Sequence, residues 1–373
     1  MLFKKKEYIA GQSLSAHAWK KFRKNRLAFA ALLFILLVAI IAILGYLITP
    51  DSSPMANTQH LELARQKPGF RVDMLRLKQQ PVHESRNIFG KMLFGQYTEH
   101  REIPIAGYRI EGENILVSEF TPVEAESTKE IAYPLDKLAG KEPQRSIRQK
   151  TFLLGTDRYG RDLLSRLMIG ARVSLSVGFI SVAISLLIGI TLGAISGFFR
   201  GWLDNFIVWL INVVWSIPTL LLVIAITFAL GKGFWQVFIA VGLTMWVEVA
   251  RVVRGQILSI REKEFVEAGR ALGFKNFRII FRHILPNIMG PVIVISAANF
   301  ASAILIEAGL SFLGIGVQPP MPSWGTMIKE NYAFIILDSA YLAILPGLAI
   351  MFMVLAFMIV GNGLRDALDV KTS

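Results

Sequence analysis

The stretch Leu27-Ala28-Phe29-Ala30-Ala31-Leu32-Leu33-Phe34-Ile35-Leu36-Leu37-Val38-Ala39-Ile40-Ile41-Ala42-Ile43-Leu44-Gly45-Tyr46-Leu47-Ile48 carries no charged residue. As a helix it is about 33 Å long, enough to cross a hydrocarbon core of roughly 30 Å. A basic run, Lys20-Lys21-Phe22-Arg23-Lys24-Asn25-Arg26, precedes it. A cleaved secretory signal fits poorly, because its apolar part is usually about 7–15 residues long and a small-x-small site follows closely. The reading is an uncleaved first transmembrane helix over 27–48, behind a basic cytoplasmic tail over 1–26.

Five further apolar runs follow: Val173–Phe198, Asn205–Leu230, Phe234–Val249, Asn287–Ile306 and Tyr341–Leu364. Glu248 is the single charge inside them. Six spans make an all-α polytopic membrane protein. Pro218, Pro291 and Pro346 fall within or near these runs. Helix bundles tolerate such kinks because neighbours re-satisfy the freed backbone groups. Gly189, Gly193 and Gly197 recur every fourth residue. Small residues at that spacing let helix backbones approach, so this face is expected to pack on another helix.

Composition agrees. The chain of 373 residues is 53% hydrophobic with a net charge of +13, and its mean hydropathy is +0.50. A disordered chain would not be so apolar. A nucleic-acid binder has no need of the long runs. The absence of cysteine removes disulfides and thiolate chemistry.

The charge also orients the chain. The tail holds eight Lys/Arg against Glu7, and the segment Arg251–Arg282 holds eight against Glu262, Glu264 and Glu267. Both are expected in the cytoplasm, with both termini inside. The loops on the other side after the insert carry only Lys232 and Lys329. The polar segment 50–150 is then an extracytoplasmic insert, a small mixed α/β domain. Arg101–Glu111 and Asn114–Val117 look like short strands joined at a Gly turn, and His60–Gln80 like a helix. The insert is marginal for a core of its own and is expected to lean on the membrane domain or a partner. His60, His83 and His100 are too scattered for a metal site and are expected to be solvated.

The most informative segment is the loop Arg261-Glu262-Lys263-Glu264-Phe265-Val266-Glu267-Ala268-Gly269-Arg270-Ala271-Leu272-Gly273-Phe274-Lys275-Asn276-Phe277-Arg278-Ile279-Ile280-Phe281-Arg282-His283-Ile284-Leu285-Pro286-Asn287. Phe265, Ala268 and Leu272 recur at helical spacing, and Gly273 suits a left-handed cap. A second amphipathic stretch places Phe274, Phe277, Ile280, Phe281 and Ile284 on one side, and Pro286 precedes the next span. Two short helices with a Gly joint are expected. Three readings compete: a hairpin in the lipid headgroups, a DNA reader and a docking element for a cytoplasmic partner. Tethering between two spans argues against DNA.

Here the chain resembles a known family. Glu267-Ala268-Gly269, three residues, Gly273, nine residues, then His283-Ile284-Leu285-Pro286 is similar to the coupling loop of binding-protein-dependent ABC importer permeases. The usual form is E-A-A-x3-G-x9-I-x-L-P. Gly269 replaces the second Ala, and His283 stands where Ile is common. Gly155-Thr156-Asp157-Arg158-Tyr159-Gly160-Arg161-Asp162 and Glu307-Ala308-Gly309-Leu310-Ser311-Phe312-Leu313-Gly314 resemble segments of the dipeptide/oligopeptide/nickel branch. The resemblance covers the first span and about 151–370, a permease core of five spans with the coupling loop at 251–286.

The resemblance implies a type I ABC importer permease moving peptides or similar solutes inward. It also implies cytoplasmic ATPase subunits, a second permease in a heterodimer, an external solute-binding protein, and a place in the inner or plasma membrane. The coupling residues would be Glu264, Glu267, Ala268, Gly269, Gly273, His283, Leu285 and Pro286. ATP would be held by the partner ATPase. No G-x4-G-K-[ST] pattern occurs in this sequence, and no clustered nucleophile or base suggests an enzyme.

Glu307 and Glu248 are costly in lipid and are candidates for the translocation path. A local ion pair of Glu248 with Arg251 or Arg254 is the competing reading. Asp157 and Asp162 are a conceivable metal pair. The plainer reading has Thr156 or Asp157 capping a short helix whose Leu163, Leu164, Leu167 and Met168 rest on the membrane surface. An ion-coupled carrier acting without an ATPase is the alternative function; it would need more intramembrane acids than this chain offers.

Overall fold

The computed structural model describes residues 14–79, 86–121, 130–140, 142–231 and 233–368. His83, Gln80 and Lys232 lie outside them, as does the tail before residue 14. Helix α1 (Leu14–Lys24) leads into α2 (Arg26–Leu44), which a turn extends to Leu47. The Asn25 side chain starts α2 by accepting from the Ala28 amide at 3.1 Å.

Four more helical runs are long and apolar enough to cross a membrane. They are α4 (Leu163–Phe199), α7 (Phe234–Ile260), the continuous run Asn276–Phe312, and α12 (Tyr341–Leu368). The sixth crossing is a bent pair, α5 (Gly201–Ser216) and α6 (Thr219–Leu230), joined at 94°. Pro218 makes that break, since it cannot continue the ladder of α5 and it restricts Ile217 to extended backbone. The pair counts as one crossing because it joins opposite ends of α7. Asp204 near its start pairs with Arg254 near the end of α7, while Leu230 feeds through Gly231 and Gly233 to Phe234 at the beginning.

The glycine stripe meets α7 as expected. A Cβ on Gly189, Gly193 or Gly197 would stand 2.7, 2.6 or 2.9 Å from the carbonyl oxygens of Trp246, Ala250 or Arg254. Among the described residues, no other pair of elements shares so extensive a contact as α4 and α7.

Two helices exceed their expected lengths. Helix α4 begins at Leu163, not near Val173, and its cap is Asp162, which accepts from the Ser165 amide at 2.8 Å. No separate short helix capped by Thr156 or Asp157 exists, and Leu163 is buried in the bundle, not laid on the membrane. Arg166 and Arg172 lie inside α4, where a charge-free window stops counting. Likewise α7 runs on to Ile260 past Arg251 and Arg254, which puts Glu248 at mid-helix instead of near its end.

The insert is a five-stranded antiparallel sheet in the order β4-β3-β2-β1-β5. Its elements are β1 (Phe70–Lys78), α3 (Ile88–Phe94), β2 (His100–Glu111), β3 (Asn114–Glu119), β4 (Glu130–Pro134) and β5 (Ile147–Phe152). The strands expected over 101–111 and 114–117 form, around Gly112 at φ 59°. The helix expected from His60 does not. Leu61–Leu63 is one turn, Gly69 breaks the chain at φ 82°, and β1 follows. Interior strand β1 is buried on both faces: Val72 and Met74 pack with Leu63 and Phe152, and Leu75 and Leu77 with Ile103 and Ile115. Two-sided burial erases the alternation that marks a strand.

The insert leans on the bundle. Its Gln66 accepts from the Tyr341 hydroxyl of α12 at 2.7 Å, and Asp51 donates its amide to Ser165 of α4 at 2.9 Å. Beneath it, Arg161 bonds Asp157 at 2.6 Å and Glu330 of α11 (Trp324–Asn331) at 2.7 Å. His60 is buried here, not solvated: its amide bonds the Tyr159 carbonyl, and Gly160 packs onto its backbone. His100 is half-buried.

Candidate functional site

At the end of the bundle opposite the insert, α7 leaves its span at Ile260 and turns into α8 (Glu264–Ala271). Glu264 and Glu267 occupy the first turn of α8, the end where negative charge is favoured. Both are exposed. The helix closes at Leu272, and Gly273 adopts φ 71°, so the left-handed joint expected there is present. The Phe274 amide then bonds the Gly269 carbonyl at 3.0 Å, folding the chain back.

The second helix departs from expectation. A short helix α9 (Asn276–Arg278) passes through a π-helical turn, Ile279–Ile284, into α10 (Leu285–Phe312) without a break. Pro286 sits in the first turn of α10. Proline lacks the amide needed for the α-helical bond to residue 282, and a wider turn just before it absorbs that defect. The expected apolar side also divides. Ile280 and Ile284 turn inward with Ile279, whereas Phe277 and Phe281 are 71% and 54% exposed. Those two rings contact each other, tilted by 32°, at 4.2 Å between centroids.

The loop thus has two faces. Val266 and Gly269 are buried, and Val266 packs in one cluster with Phe198 of α4, Val253 and Ile257 of α7, and Ile284 and Ile288 of the run into α10. Leu285 packs against the same cluster. Burying Val266 contributes roughly 1.5–3 kcal/mol. The exposed side chains include Phe265, Ala268, Leu272, Phe277 and Phe281, with Glu264 and Glu267 on α8 and Lys275, Arg278 and Arg282 after the Gly273 joint. Leu272 is 72% exposed, an apolar side chain with no cover.

Polar ties clamp the loop to its neighbours. Arg261 donates to the Phe198 carbonyl at 2.6 Å, and Arg200 pairs with Glu262 at 2.6 Å. Arg254 grips both oxygens of Asp204 at 2.6 and 2.8 Å. His283 stacks on Phe274 at 5.7 Å, and the Arg278 guanidinium lies over the same ring at 4.2 Å. No local pattern marks the Arg254–Asp204 fork, because its partners lie fifty positions apart.

The two path candidates part company. Glu248 is exposed to a cavity of about 310 Å³ lined also by Trp215, Thr219, Thr244, Met245 and Ser302. Among the described residues it makes no ion pair: Arg254 takes Asp204, and Arg251 lies 3.7 Å over the Trp215 ring. Glu307 is fully buried, accepting from Ser311 at 2.7 Å and Ser174 at 3.4 Å, and lines neither that cavity nor the smaller one beside Ser311. Asp157 and Asp162 hold Arg161 and the start of α4, and among the described residues no group of three His, Asp or Glu could hold a metal ion.

Residues 189–373 match the family described as binding-protein-dependent transport system inner membrane component. Residues 13–68 match the N-terminal TM domain of oligopeptide transport permease C. A dipeptide transport system permease protein of Alkalihalophilus pseudofirmus is 40% identical over 270 residues, covering 72% of this chain and 86% of that protein. A di/tripeptide transport system permease protein of Pseudomonas aeruginosa is 44% identical over 224 residues, 60% of this chain and 73% of the relative. A glutathione transport system permease protein of Pectobacterium atrosepticum is 41% identical over 218 residues, 58% and 72% respectively. With five or six apolar crossings and a loop bearing the Glu267–Gly273–Pro286 spacing, the chain is a multi-pass membrane protein that belongs to the binding-protein-dependent ABC importer permeases, in their peptide branch.

Proposed function

We propose that this chain moves peptides or similar small solutes inward across the cell membrane, and that α8 couples it to a separate cytoplasmic ATPase. The observation that carries the reading is the division of α8 into two faces. Val266 and Gly269 lock it into the α4–α7–α10 core, while Glu264, Phe265, Glu267, Ala268 and Leu272 present an uncovered surface. A groove on the ATPase would take the apolar side chains, with the flanking charges setting register. Motion of the ATPase then reaches three spans at once and biases an inward- against an outward-facing state.

The basic tail and the basic 251–282 segment support a cytoplasmic location for this end and for both termini. The insert then faces outward, where a solute-binding protein would deliver cargo. A second permease, by the branch resemblance a homologue rather than an identical copy, would complete the pathway. Glu248, at mid-helix in an open cavity, is the better path candidate. Glu307, fully buried against Ser174 and Ser311, is the weaker one.

Glu267→Lys tests the coupling. The variant is expected to insert normally but to lose both co-purification with the ATPase subunit and ATP-driven uptake of a labelled dipeptide. Survival of both would sink the assignment. Protease added outside sealed cells should cut the insert; cleavage only after the inner face is opened would invert the topology.

A further inference from the structure

Helix α3 of the insert leaves its large apolar side chains uncovered. Ile88 and Phe89 are each 73% exposed, Leu93 53% and Phe94 64%. Yet the helix is held firmly. Asn87 caps it, accepting from the Gly90 amide at 2.7 Å. At its other end the Arg172 guanidinium of α4 donates to the carbonyls of Met92 and Leu93 at 2.8 and 3.0 Å. The same guanidinium donates to the carbonyls of Ala42 and Ile43 in α2 at 2.7 and 2.9 Å. One side chain thereby ties the end of α3 to the last turn of the first span. Helix α3 also packs against Gly45–Leu47, and a Cβ on Gly95 would stand 2.8 Å from the Ser52 carbonyl.

This tether sets the level of α3 relative to the bilayer. The span Arg26–Leu47 is about 33 Å long as a helix and uses up the hydrocarbon core, so the chain emerges at Leu47. Around that level the span itself exposes Ile40, Ile43, Leu47 and Ile48. The lipid-facing surface of the span and the apolar surface of α3 therefore meet at the boundary of the membrane. Lys91 is the sole charge in α3, and Arg86 just before it bonds the Phe94 and Gly95 carbonyls, a composition suited to the headgroup boundary.

We infer that α3 is immersed in the bilayer at this boundary, as a second, interfacial anchor beside the first span. Its occupant is lipid. Ile88, Phe89, Leu93 and Phe94 enter the acyl region to a depth of about 5–10 Å. The insert is then tied to the bundle at the start of α4 and at α12 and to the bilayer through α3, and cannot swing freely over the bundle.

The test uses the absence of native cysteine. Phe89→Cys and Leu93→Cys in the full-length chain are labelled with an environment-sensitive fluorophore, with Tyr108→Cys on β2 as the reference. The labelled chains are placed in phosphatidylcholine–phosphatidylglycerol vesicles carrying nitroxide lipids. Labels at 89 and 93 are expected to be quenched several-fold more strongly than the label at 108, more by shallow than by deep nitroxides, and to resist aqueous iodide. Quenching by iodide instead would overturn the anchor. So would shielding from both quenchers, which would place a protein surface over α3. Ile88→Cys repeats the measurement if Phe89→Cys lowers the yield of folded chain. The same labels read in chain purified with its ATPase subunit must remain lipid-accessible; loss of nitroxide quenching there assigns the face to a partner and refutes the proposal.

Discussion

Gly193→Ala isolates the energy of a close backbone approach between α4 and α7. A methyl group at 193 would lie 2.6 Å from the Ala250 carbonyl oxygen and 2.9 Å from the Val253 Cβ. Ordinary contact begins at 3.4 Å, so the helices must part locally by about 0.8 Å. Neither obstacle is the free end of a flexible side chain. Overpacking of this kind costs about 1–3 kcal/mol. Against it, Ala gains about 1 kcal/mol over Gly in helix propensity. Gly255→Ala in α7 supplies the reference, since nothing stands within 4 Å of its added methyl. It should feel the propensity gain alone. The difference between the two variants is then the packing cost, about 1–3 kcal/mol, or roughly 5- to 150-fold in the unfolding equilibrium. Denaturant titration in mild detergent, followed by Trp fluorescence, measures both. Gly189→Ala and Gly197→Ala should follow Gly193→Ala, with Gly197 mildest because its nearest carbonyl is 2.9 Å away. If Gly193→Ala is as stable as Gly255→Ala, the α4–α7 contact is not a close backbone approach and the reasoning from the stripe fails.

Two further outcomes are expected. At Gly269 an added methyl meets Phe274 at 3.5 Å, an ordinary contact, so Gly269→Ala should stabilise α8 by about 1 kcal/mol. Hydrogen-exchange protection of its amides should rise about fivefold, and a fall would show that the buried face of α8 has no room. In the insert, burial above all, then Lys150, holds the His60 imidazole below its ordinary pKa. The unfolded chain therefore takes the proton more readily, so this contribution to stability is intact above pH ~6.5 and is lost as pH falls below it. His60→Gln should flatten the melting temperature between pH 7.5 and 5 relative to the parent chain. Parallel profiles for the two would exclude His60 as the source.

The spans were legible because bilayer insertion demands uninterrupted apolar sequence, and 27–48 supplies it without ambiguity. Their ends were not. Arg166 and Arg172 in α4, and Arg251 and Arg254 in α7, end a charge-free run but not a helix, since each finds a partner in the fold. Those partners are distant in sequence: Arg172 serves the carbonyls of Ala42 and Met92, and Arg161 serves Glu330. No local pattern announces them. Strand β1 was missed for a related reason, as its apolar residues face two cores at once. Pro218 was visible as a kink, but its 94° consequence depends on how α6 packs along α7.

In the loop between α7 and α10 the spacing of Glu267, Gly273 and Pro286 located the elements, and Gly273 does take the left-handed backbone the joint requires. The division of faces needed the fold. Phe277 and Phe281 share a helical stripe with Ile280 and Ile284 only on an ideal α-helix. The π-helical turn Ile279–Ile284 widens the spacing, so the isoleucines seat in the core while the two phenylalanines stay outside. Pro286 is what makes that turn the low-cost arrangement, because an α-helical bond was unavailable there in any case. The same proline thus shapes both faces of the loop. Removing it by Pro286→Ala would restore an amide able to bond the Arg282 carbonyl and would favour rotation of Phe277 and Phe281 relative to the core. The outer surface proposed to meet the ATPase thus depends on a defect placed just behind it.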